Sequence, residues 1–66
     1  MLDRPRLNYT CFMVDAADKP LWVWTGEYAT ENEALSEASR EVFARDDAAG
    51  YELWSEGRKI ARFLKP

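Results

Sequence analysis

The four residues Thr30-Glu31-Asn32-Glu33 limit most what this chain can fold into. A threonine at a helix N-cap accepts a hydrogen bond from the amide three residues on. A glutamate at that third position reaches back to the amide of the cap, so the four residues form a capping box. A helix therefore starts at residue 31, between two segments rich in β-branched and aromatic residues. Residues 7–14 and 21–28 read as strands, joined by a turn that Asp15 opens and Pro20 closes. The helix is expected to run to about residue 47, with Gly50 as a break beyond its end. Residues 51–55 and 58–64 read as two further strands around a tight turn at Glu56-Gly57. The expected fold is α+β in the order ββαββ, a single domain over residues 1–66. One helix packs on one face of an antiparallel sheet of two hairpins.

Pairing within the hairpins assigns the faces. If Val14 pairs with Leu21, then Met13 faces Trp22, Cys11 faces Trp24 and Tyr9 faces Gly26. The face holding Tyr9, Cys11, Met13, Trp22, Trp24 and Tyr28 is the more apolar and should meet the helix, with both tryptophans largely buried. In the second hairpin a two-residue turn pairs Leu53 with Ile60. That adds Tyr51, Leu53, Ile60 and Leu64 to the core. The helix supplies Ala34, Leu35, Ala38 and Val42, with Phe43 at the edge of the stripe. The opposite sheet face would carry Phe12, Val14, Leu21, Val23, Trp54, Ala61 and Phe63. That is a contiguous apolar patch larger than a monomer usually exposes.

Composition removes most chemistry. A chain of 66 residues has a thin core, yet a lone cysteine, Cys11, excludes an internal disulfide. With no histidine, neither a zinc site nor a conventional serine or cysteine triad is expected. Cys11 sits mid-strand opposite a tryptophan and reads as a buried structural thiol. Gly26, Gly50 and Gly57 are isolated and make no phosphate loop, and Asp15 and Asp18 lack the spacing of a calcium loop. The expectation is a non-enzymatic chain with no catalytic residue, cofactor or metal. The first residues, Met-Leu-Asp-Arg-Pro-Arg, have no apolar run of the signal-peptide kind, and no stretch has the length of a membrane span. Together with the single cysteine this sets the expectation of a cytoplasmic location.

Charge is segregated along the chain. Between Glu27 and Glu56 nine acidic residues meet only Arg40 and Arg45, leaving that stretch at net −7, while Arg58, Lys59, Arg62 and Lys65 make the end basic. Glu33, Glu37 and Glu41 recur at i, i+4, i+8 and form one ridge expected on the solvent face of the helix, where like charges repel by a few tenths of a kcal/mol per pair. Asp46 and Asp47 place negative charge at the expected helix C-terminus, where the macrodipole disfavours it. The ridge with Asp46 and Asp47 is thus a candidate surface for a basic protein partner. Phe12, Val23, Trp54 and Phe63 are the candidates for a contact through the sheet, with a partner or a second copy. Direct nucleic-acid binding through the basic last strand, with Trp54 as a stacking platform, ranks below both because the chain is net acidic.

The profile as a whole resembles the small acidic single-domain inhibitors encoded by phages and mobile elements, the anti-CRISPR proteins among them. The resemblance rests on size, the absence of catalytic residues, the ββαββ order and the acidic series Glu33, Glu37, Glu41, Asp46 and Asp47. It implies a protein that covers a basic nucleic-acid-binding surface on its target. The alternative expectation is a housekeeping interaction module that homodimerises through its open sheet face.

Overall fold

The computed structural model describes residues 7–66. Residues 1–6, whose lack of an apolar run bears on the expected location, lie outside the described residues. The elements are β1 (Leu7–Val14), β2 (Pro20–Tyr28), α1 (Glu31–Ala44), β3 (Gly50–Ser55) and β4 (Arg58–Leu64). All neighbouring strands are antiparallel, in one sheet of order β2-β1-β3-β4. The expected α+β layout, a helix on one face of an antiparallel sheet built from two hairpins, is the observed one.

Local chemistry explains the connections. In the β1–β2 turn, Asp15 Oδ1 accepts from the amides of Ala17 and Lys19, both at 2.9 Å. Asp18 takes a positive φ of 66°, a conformation that aspartate tolerates better than most residues. Pro20 occupies the first position of β2, where its missing N–H is least harmful. At the helix start Thr30 is extended and its Oγ1 accepts from the Glu33 amide at 3.2 Å. Glu33 Oε1 reaches back to the amide of Ala29 at 3.0 Å, one residue beyond the expected partner. Glu56 and Gly57, at φ 53° and 78°, make the tight turn that links β3 to β4.

The two hairpins meet through their inner strands. Cys11 lies opposite Leu53, and Met13 opposite Tyr51, across the β1–β3 ladder. Ala34, Ala38 and Val42 cover this seam and are almost wholly buried with Cys11, Met13 and Leu53. Two alanines on the buried stripe leave room for the helix backbone to approach the sheet closely. Tyr9, Tyr51 and Ala48 complete the core.

Four expectations need correction. The first-hairpin register is as expected from Tyr9 to Met13, but an irregularity after Met13 sets Val14 opposite Pro20. Val14 is buried rather than displayed on the outer face. In the second hairpin Ser55 pairs with Arg58, as a two-residue turn requires, but the register then shifts and Leu53 faces Ala61 instead of Ile60. One extra residue in β4 exchanges its faces. Ala61 and Phe63 pack against the core, whereas Leu64 is 52 % exposed. Trp22 has the expected register yet is 41 % exposed, because α1 lies over the central strands and β2 is at the sheet edge; Trp24 is half-buried. Finally, α1 ends at Ala44, and Arg45 is already extended. Asp46 and Asp47 therefore belong to the turn after the helix and not to its last turn.

Gly50 is needed for close approach. A Cβ there would collide with the carbonyl oxygen of Phe63, which is backbone and cannot swing aside. Gly50→Ala should therefore lower stability by roughly 1–3 kcal/mol, read as a lower denaturant midpoint with an unchanged slope. Burial pushes the Cys11 thiol up to about 12 from an ordinary 9.0. The folded chain holds the proton more tightly than the unfolded one, so stability is unaffected below pH 9 and falls between about pH 9 and 12. At neutral pH, Cys11 should resist alkylation by iodoacetamide in the native protein and react once denaturant unfolds it.

Candidate interaction surface

The helix sets its acidic ridge beside the aromatic edge of the sheet. Glu33, Glu37 and Glu41 each precede a buried residue of α1, Ala34, Ala38 and Val42. One step back along a helix is a rotation of about 100°, so the ridge lies alongside the buried stripe rather than opposite it. It overlooks β2. Glu37 and Glu41 line a cleft of about 240 Å3 with Trp22 and Trp24. Glu33 and Glu37 line an adjoining one of about 430 Å3 with Tyr28, Asn32, Ser36 and Arg40. Glu37 borders both, so the ridge runs along two clefts, the first a groove between α1 and β2 and the second reaching past Tyr28 onto the outer side of the helix. The ridge, expected to face open solvent, instead walls these clefts, with Glu37 and Glu41 half-buried.

The aromatic wall is ordered by ring contacts. Trp22 and Trp24 have centroids 5.1 Å apart, and Tyr28 meets Tyr9 edge-on at 5.9 Å. Arg45 does not pair with Glu41, as i, i+4 spacing suggests; its Cζ lies 4.3 Å from the centroid of the Trp22 ring. Glu37 pairs with Arg40 at 3.1 Å, and Glu33 is partly engaged in the helix cap. Among the described residues Glu41, Asp46 and Asp47 have no ion-pair partner. Asp46 and Asp47 are exposed in the turn beyond Arg45, separate from the groove. Sequence reasoning missed Tyr28 as a groove residue and Arg45 as a cover for Trp22. The first was assigned wholly to the core, and the second was read as helical.

The opposite sheet face differs from expectation. Phe63 is not on it, but packs on the helix side against Tyr51 and Phe43 at 5.5 and 5.7 Å. Phe12 and Val23 face each other across β1 and β2, and the same row continues through Glu52 and Arg62. Glu52 gathers the β3–β4 half of this face. It accepts from Trp54 Nε1 at 3.2 Å and from Arg62 Nη1 at 3.3 Å, and Lys59 Nζ stands 3.7 Å away. Arg62 also meets Asp18 at 3.1 Å. The exposed apolar patch is therefore smaller than expected: Val23 is 49 % exposed on the β2–β1 half, whereas Trp54 on the other half is bonded to Glu52 and lies beside Lys59.

The same contacts occupy two of the three cations of β4. Lys59 and Arg62 are held by Glu52, and Lys65 Nζ donates to the Arg45 carbonyl at 3.1 Å. No group of three or more potential metal ligands occurs among the described residues. No helix among them is long and apolar enough to cross a membrane. No family model, curated protein or solved structure matches the chain.

Arg45→Ala tests the cover on Trp22. The contact lies at a half-exposed position, so its loss should cost no more than about 1 kcal/mol of stability. The Trp22 indole resonance should move in a proton–nitrogen spectrum, while that of Trp54 on the opposite face stays in place.

Proposed function

We propose that this chain is a non-enzymatic protein-binding module that docks the acidic face of α1 on a basic surface of a partner protein. The specific form is an inhibitor that covers a surface otherwise used for nucleic acid, in the manner of small acidic anti-CRISPR proteins. The observation that carries this reading is the placement of Glu33, Glu37 and Glu41 along two open clefts, with Arg40 the only cation paired to the ridge among the described residues. Glu33 helps to cap the helix and Glu37 pairs with Arg40, but the four-residue spacing itself adds repulsion between like charges, and Glu41 has no ion-pair partner among the described residues. A partner's lysines and arginines would relieve that repulsion. Charge complementarity of this kind mainly raises the association rate, and salt weakens it.

A second reading has its own observation. Leu21 and Val23 are 40 % and 49 % exposed on the β2–β1 half of the sheet. A second copy could cover that half-face, and Val23→Lys would then convert a dimer to a monomer in sedimentation.

The test of the first reading is a double charge reversal, Glu37→Lys with Glu41→Lys. Neither side chain is fully buried, so the circular dichroism spectrum should be unchanged. A host protein retained by the wild-type chain at low salt, and displaced from it by nucleic acid, should bind the variant at least about tenfold more weakly, about 1.4 kcal/mol. Equal retention of that protein by both chains at low salt would sink the reading.

A further inference from the structure

The two edges of the sheet are protected very differently. β4 carries Arg58, Lys59 and Arg62, the charges that commonly keep an edge strand from pairing with another chain. β2 has nine residues, and from Leu21 to Gly26 it contains neither a charge nor a proline. Among the described residues only β1 pairs with it, so its outer row of backbone amides and carbonyls has no strand partner. Trp22 and Trp24 project from this edge to the helix side, below Glu37 and Glu41.

We propose that β2 accepts an extended, arginine-bearing segment of the partner as a fifth strand, with alternate arginines entering the groove between Trp22, Trp24 and the carboxylates of Glu37 and Glu41. This rests on the reading of the acidic face as a docking surface and states what docks there. A strand added to β2 would place every second side chain about 5 Å from Trp22 or Trp24 on the same face. A guanidinium there stacks on an indole and meets a carboxylate from the opposite wall, the two interactions for which arginine suits better than lysine. The chain already shows that the Trp22 ring takes a guanidinium, in the 4.3 Å contact with Arg45. Main-chain hydrogen bonds would supply affinity, and the groove would select the side chain.

A second copy of the chain fits this edge poorly. Pairing β2 with β2 would bring two acidic ridges to one seam. Pairing β2 with β4 would offer Ala61, Phe63 and the single cation Arg58 to the groove, since Lys59 and Arg62 are held by Glu52 on the other face. The occupant is therefore a strand with cations at alternate positions.

The experiment titrates isotope-labelled protein with a synthetic peptide as long as β2 that alternates arginine with threonine. Backbone shifts should map to β2, and the indoles of Trp22 and Trp24 should move while that of Trp54 does not. N-methylation of the central peptide amides should weaken binding at least about tenfold, and so should Glu37→Gln with Glu41→Gln in the protein. A peptide with glutamate in place of arginine should not bind. If the N-methylated peptide binds as well as its parent while the glutamine variant binds worse, strand addition is wrong and the acidic docking face stands. If the arginine peptide does not bind, strand addition is wrong and the charge-reversal experiment alone decides the docking face; if neither change matters or the shifts map to the Trp54 face, both are wrong.

Discussion

The pairing of β1 with β3 is the contact on which the rest of this structure depends. It joins two hairpins that would each expose an apolar face alone, and it brings Cys11, Met13, Tyr51 and Leu53 under the helix. Three small or β-branched residues, Ala34, Ala38 and Val42, seal that seam. The core is centred on the seam, and a helix placed there cannot also cover the sheet edges. Trp22 is left partly open for this reason. The groove between α1 and β2 is thus a by-product of where the core sits, and the acidic ridge happens to wall it because each of its glutamates precedes a buried position.

Much of this was legible in the sequence, for physical reasons that can be named. The capping box fixed the helix start, and the Asp15 turn fixed the first hairpin as far as Met13. The second hairpin was not legible. Ile60, Ala61, Arg62, Phe63 and Leu64 carry apolar residues on both alternations, so period-two reading had no way to detect the inserted residue that turns Phe63 inward. The helix end was legible only in part. The local signal is there but reads as a charge anomaly: Asp46 and Asp47 are poor helix formers that the dipole disfavours at a C-terminus, and Lys65, twenty residues on, donates to the Arg45 carbonyl at that point. As for the candidate surface, the spacing of Glu33, Glu37 and Glu41 gave the ridge but not its neighbour. Which wall a ridge faces depends on how the helix lies across the sheet, and that is a tertiary property.

The segregated charges of the sequence are only partly reconciled by folding. Glu52, from the acidic stretch, draws in Lys59 and Arg62 from the basic end, and this divides the outer sheet face into a polar half and an apolar half. Lys65 reaches the Arg45 carbonyl. Lys59 and Arg62 of β4 are thereby engaged on the outer face, and Lys65, just beyond the strand, at the helix terminus; none of the three is paired with the ridge.

The strand order also governs how the chain can be made. β1 precedes the other strands of this sheet along the chain, yet it lies in the middle of the sheet and pairs on one side with β3, about forty residues later. Loop closure of that length must precede any reward from the central seam. Until α1 has emerged, the nascent β1–β2 hairpin holds Cys11, Met13, Trp22 and Trp24 with nothing over them. The apolar side of that hairpin gains its cover in two stages, first from α1 and then, at the seam, from β3.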